Sequence, residues 1–191
     1  MKFRYLIKEG KTKKYLRAVP FVVLLCCSFA CQGKAVMAEL EKYRAQATVE
    51  EKNKEIVNRF FEEFNKGNLE IFNELCSPDY RLYSPSDNPK PMSREAQIEA
   101  EKMARSAFPD LSLRIEKLFA AGDSVIIWGI ATGTHQGEFQ GIQPTGNKIE
   151  FGNIILMSLK NGKIVEAREE PNMLRFKQQL GMELKPKEVK K

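Results

Sequence analysis

Glu166, Arg168, Glu170 and Asn172 alternate along one short stretch of this chain. In an extended strand residues two apart share a face, so the four point the same way. A carboxylate beside a guanidinium makes a proton acceptor with an electrostatic partner. On a wet face the same two groups are only a surface ion pair. Both readings stand for Glu170 and Arg168. Asn153 interrupts the apolar run from Ile149 to Leu159; turned inward, it needs partners from a ligand or from neighbouring backbone. His135 is the only histidine, which excludes a multi-histidine metal site, and the carboxylates lack metal-ligand spacing. No cofactor is expected. Cys76 closes an apolar pattern with Leu69, Phe72 and Leu75 and has no histidine near it in sequence, so it reads as core rather than nucleophile.

The elements that must hold these residues follow from hydrophobic period. Ile56, Val57, Phe60, Phe61 and Phe64 recur three and four apart, the stripe of an amphipathic helix, stopped at Gly67. Asn68 is placed to cap a second short helix ended by Pro78. Tyr80 to Tyr83 is a short strand before a loop holding Pro85, Pro89 and Pro91. Ser93 opens a third helix with Ile98, Met103 and Phe108 on its apolar side. From Leu111 the period becomes two. Strands run to Ala121, from Ser124 to His135, from Lys148 to Leu159 and from Lys163 to Asn172. Gly122-Asp123 and Asn161-Gly162 supply hairpin turns, the second a type I′ signal. A last helix carries Met173, Leu174, Phe176 and Leu180. Trp128, Phe60 and Phe61 read as core. Helices followed by a meander of long strands make an α+β layout.

The net charge of +6 is unevenly placed: the first thirty residues hold seven basic side chains and one acid, Glu9. Beyond them the charges balance, so nothing asks for nucleic acid. The basic start precedes an apolar run, Ala18 to Ala30, shorter than the roughly 20 residues of a spanning helix. Residues 1–30 read as a secretory signal, and Cys31 stands where a lipobox of bacterial lipoproteins carries its acylated cysteine. This predicts an exported protein of the cell envelope, anchored in the membrane by lipid; an uncleaved anchor or ordinary secretion is the rival reading. Residues 31–50 are then a tether, 51–182 the folded domain and 183–191 a basic tail.

The segment Gly133-Thr-His-Gln-Gly-Glu-Phe-Gln-Gly-Ile-Gln-Pro-Thr-Gly146, with Pro78-Asp79-Tyr80, Ala107-Phe-Pro-Asp-Leu111, Gly162-Lys-Ile-Val-Glu166 and Gln178-Gln-Leu-Gly181, resembles the SnoaL-like polyketide (ester) cyclases. These are a branch of the NTF2-like fold. The resemblance covers roughly residues 52 to 181. It implies a cone of about three helices packed on a curved antiparallel sheet around an apolar cavity, plus a short C-terminal helix. It further implies acid–base chemistry, a cyclisation or isomerisation, on a small apolar carbonyl compound. In that family an Asp near the end of the last strand moves the proton; Asn172 stands in its place here. An amide donates and accepts hydrogen bonds but takes no proton from carbon. Either Glu170 or His135 replaces the lost acid, or the domain is a non-catalytic, envelope-anchored binder of a small ligand. Tyr83, where many relatives carry a His, is either a cavity hydrogen-bond donor or a half-buried strand aromatic. His135 either fixes the turn it begins or acts as a base. The family commonly forms homodimers through the exposed side of the sheet, and the apolar residues on both faces of Ile149 to Leu159 fit that expectation.

Overall fold

The computed structural model describes residues 12–85, 88–183 and 185, with side chains from residue 33 onward except at 88 and 89. It divides into a first unit, 1–46, and a second, 47–191. Helix α1 (Thr12–Asn65) is the described part of the first unit and opens the second. The expected signal, the thiol of Cys31 and most of the basic tail fall on residues whose side chains lie outside the described ones. Among the described residues no helix is long and apolar enough to cross a membrane.

In the second unit α1 is followed by α2 (Glu70–Leu75), β1 (Cys76–Ser84), β2 (Asn88–Ser93), α3 (Arg94–Ala107), β3 (Ser112–Ala121), β4 (Ser124–Thr134), β5 (Lys148–Lys160), β6 (Lys163–Pro171) and α4 (Met173–Gln179). The six strands form one sheet, ordered β2-β1-β6-β5-β4-β3. Neighbours are antiparallel except β1 and β6, which run parallel because everything between them in sequence serves as the crossover. The α+β layout expected from the sequence is present. Its hairpins are as the turn residues dictate: Asn161 and Gly162 both take positive φ (52° and 73°), the requirement of a type I′ turn.

The inner face of the sheet wraps the end of α1. Val57, Phe60, Phe61 and Phe64 are buried there against Ile71 and Phe72 of α2 and Tyr80 and Leu82 of β1. Phe60 meets Phe72 edge to face at 4.9 Å, a contact that adds about 1 kcal/mol to the burial of both rings. Asn65 seats the helix end on β3: its amide donates to the Leu113 carbonyl at 2.9 Å and its oxygen accepts the Leu113 N–H at 2.8 Å.

Several local expectations need correction. Pro78 does not end α2; the strand has already begun at Cys76, and Pro78 falls in the irregular stretch between Cys76 and Arg81, where the ladder to β6 is interrupted and a missing N–H is tolerated. Part of the proline-rich segment is strand β2, paired with β1. Asn68 does not cap α2 with its side chain, which donates to Glu63 instead. Met103 is exposed, because the buried stripe of α3 lies on the side of Gln97, Ala104 and Ala107. Trp128 is not core. It is 42% exposed on the outer face, its ring lying over Gly152, where an added Cβ would come within 2.8 Å of it.

Candidate functional site

Between the inner sheet face, the phenylalanines of α1 and the buried side of α3 lies a cavity of about 220 Å³. Its walls are mostly apolar: Phe60, Phe64 and Phe72 on one side, Ile149, Phe151 and Ile155 of β5 on the other, with Phe108 and Phe176 closing one end. Six polar residues line it: Tyr80, Gln97, Glu101, Ser112, Asn153 and Glu169.

Three of these, Tyr80, Gln97 and Glu101, form a chain of defined polarity. The Tyr80 hydroxyl donates to Gln97 Oε1 at 2.8 Å. That fixes the Gln97 amide so that its NH2 group is turned to the Glu101 carboxyl. Gln97 and Glu101 sit four apart on α3, one turn above the other. Burial, reinforced by the negative charge of Glu169, pushes the Glu101 carboxyl up to about 7; the Gln97 hydrogen bond and Arg105 pull only weakly the other way. The same burial, with Cys76, Glu169 and Glu101 nearby, holds the Tyr80 phenol well above its usual range. Across the cavity the Asn153 amide donates to Glu169 Oε2 at 3.4 Å. A carboxyl whose hold on its proton is raised, beside a second carboxylate in an apolar enclosure, is an arrangement that can give a proton at one group and take one at the other. Among the described residues no group of three His, Cys, Asp or Glu side chains is placed to hold a metal ion.

The family model for SnoaL-like polyketide cyclase matches residues 55–180, the stretch that builds this cavity. The chain belongs to the SnoaL-like polyketide cyclase family. Solved structures agree. AclR, a candidate hydroxylase of Streptomyces galilaeus, is 29% identical with a TM-score of 0.64 over 69% of this chain and 97% of its own. IdmH of Streptomyces antibioticus, a candidate polyketide cyclase, is 27% identical with a TM-score of 0.62, covering 68% and 99%. A candidate SnoaL-like cyclase of Jannaschia sp. CCS1 is 25% identical with a TM-score of 0.64, covering 71% and 96%. No curated protein sequence matches the chain. The fold is thus the NTF2-like cone.

Within this SnoaL-like frame the residues singled out in the sequence take the following places. Asn153 enters the cavity. Glu166, Arg168 and Glu170 do share a face, but it is the outer one. Arg168 pairs with Glu166 at 2.7 Å and lies over the Tyr83 ring at 4.4 Å, so Tyr83 also faces outward. Asn172 is exposed and caps α4, its oxygen accepting the Arg175 N–H at 3.0 Å. With Glu170 it borders a separate hollow on the outside of the sheet. His135 is fully buried outside the cavity lining. Its Nδ1 accepts the Thr145 N–H at 3.3 Å, which requires the proton on Nε2, and its ring stacks on Phe108 at 5.0 Å. Cys76 is buried, its thiol pushed up to about 12, which makes it inert at neutral pH.

Glu101, Glu169, Gln97 and Tyr80 escaped the sequence reading. For α3 a signal existed: Gln97, Glu101, Ala104 and Phe108 lie at i, i+4, i+7 and i+11. For β6 the phase was hidden. Leu159 pairs with Ile164 but Ser158 pairs with Glu166, so Val165 is an extra residue in the ladder. That bulge turns Ala167, Glu169 and Pro171 inward and Glu166, Arg168 and Glu170 outward.

Proposed function

We propose that this SnoaL-like protein is an acid–base enzyme acting on a small apolar carbonyl compound, with Glu101 and Glu169 as its proton-transfer pair. The observation that carries the reading is the raised Glu101 carboxyl facing Glu169 inside an apolar cavity. The Glu169 carboxylate takes a proton from the carbon beside the carbonyl. Protonated Glu101 hands its own to the carbonyl oxygen. The enol carbon then either attacks a second carbonyl carbon of the same molecule, whose oxygen takes the proton held by Glu169 while the enol O–H returns its proton to Glu101, or is reprotonated at another carbon. The apolar walls favour this by keeping water from the enol. Neither role needs residue 172. The test is hydrogen–deuterium exchange at the α-carbon of 2-tetralone, followed by NMR. Wild type should exchange faster than a carboxylate buffer, and Glu101→Gln or Glu169→Gln should each lose about 100-fold or more. Exchange that survives both substitutions overturns the reading.

A second reading, a non-catalytic small-ligand binder of the envelope, draws on Asn172 at the position of the family acid and on the lipobox-like Cys31. The same experiment separates the two: a binder holds the ketone without exchanging its protons.

A further inference from the structure

The cavity holds one polar atom whose needs the protein does not meet. Asn153 is 8% exposed, and no donor among the described residues reaches its Oδ1. The orientation of the amide is not arbitrary. Its NH2 group donates to Glu169 Oε2, which leaves the oxygen as the atom without a partner, on a residue that lines the cavity. A buried acceptor without a partner costs about 1–3 kcal/mol, which a fold retains where something else supplies the hydrogen. Nothing in the local backbone demands an amide here. Its neighbours on the same strand face, Phe151 and Ile155, are apolar and line the same wall.

We propose that Asn153 is a specificity-determining residue that accepts a hydrogen bond from a hydroxyl group of the substrate. The substrate class is therefore a compact, hydroxylated carbonyl compound of one or two rings. The size limit follows from the volume: about 220 Å³ lies below the roughly 300–1,000 Å³ of sites for drug-sized ligands. The chemical limit follows from the asymmetry of hydrogen bonding. A site built around a buried acceptor discriminates strongly against an analogue without the donor, because that analogue leaves the acceptor unpaired while still displacing solvent. Asn153 also touches Glu169, so the hydroxyl it holds sets which carbon of the ring stands before the carboxylates. This inference rests on the cavity reading of the preceding subsection and adds the nature of its occupant.

Titration of the full chain with 2-naphthol and with naphthalene tests it. Both fit a two-ring site, and only the first carries a donor. Wild type should bind 2-naphthol about tenfold tighter. Asn153→Leu keeps the side-chain volume and removes the acceptor. It should lose most of that preference while binding naphthalene at least as well as wild type. An unchanged preference in Asn153→Leu overturns the proposal. Should that variant fail to bind naphthalene, and so fail to fold, the wild-type comparison decides alone, and equal affinity for the two probes overturns it. If wild type binds neither probe, the occupant proposed here and the cavity reading both fall. A chain that prefers 2-naphthol yet exchanges no α-proton keeps this inference and loses the catalytic one.

Discussion

Glu101 carries an energetic cost at neutral pH that its replacement removes. Its carboxyl titrates near 7 in the folded chain, against 4.5 for the free side chain. Between those values the folded state holds a proton that the unfolded state has released. Stability associated with this group is therefore complete below about pH 4.5 and is lost as pH rises through 7. Glu101→Gln should match wild type near pH 4 and exceed it at pH 8, by an amount on the order of 2 kcal/mol given the partial exposure of the side chain. Urea unfolding of both proteins across that range is the measurement. A difference independent of pH would place the carboxyl in water. Few catalytic groups are kept for the stability they bring, and a gain on removing Glu101 is what an acid held for its chemistry predicts.

At the scale of elements, the single bulge in β6 does most to decide the site. It exchanges which carboxylates face inward, so Glu169 and not Glu170 enters the cavity, although the two are adjacent in sequence. The opposite face of the sheet is left with large apolar side chains: Phe119, Ile126, Trp128 and Ile154 are each between 42% and 61% exposed. Contiguous apolar surface of this kind is uncommon on a monomer. We propose that it pairs two copies of the chain. Sedimentation of residues 32–191 at tens of micromolar should show a dimer, and Ile154→Glu should dissociate it. A strict monomer at that concentration would sink the idea.

At the scale of the whole molecule an N-terminal segment precedes the domain that holds the cavity. We propose that the chain is exported and retained at the envelope by lipid on Cys31, on the strength of the basic start, the short apolar run from Ala18 to Ala30 and the polar stretch after Cys31. Mass spectrometry of membrane-extracted protein should find a chain that starts at an acylated Cys31. An unacylated chain starting elsewhere would contradict it. The fold itself was legible in the sequence, because helix stripes, strand alternation and turn residues are local signals. Phe60 and Phe64 had to share a helix face, Asn161-Gly162 had to turn, and the ordered motifs from Ala107 to Gly181 carried the family. Asn153 stands out in the sequence as the polar break in an apolar run, while its inward direction comes from the structure.

What only the tertiary structure decided is which polar groups meet. Glu101 is an ordinary charged residue of a charged helix until α3 packs its Gln97–Phe108 face over the cavity. Its proton affinity then depends on burial and on Glu169, 68 positions further along the chain. The phase of β6 depends on a ladder irregularity that exists only in pairing with β5. Asn172 and Glu170, matched by motif and by proximity, lie on the outside for the same reason. Sequence determines the faces that an element offers; registry and packing between elements determine which face is enclosed, and desolvation makes chemistry of the groups enclosed there.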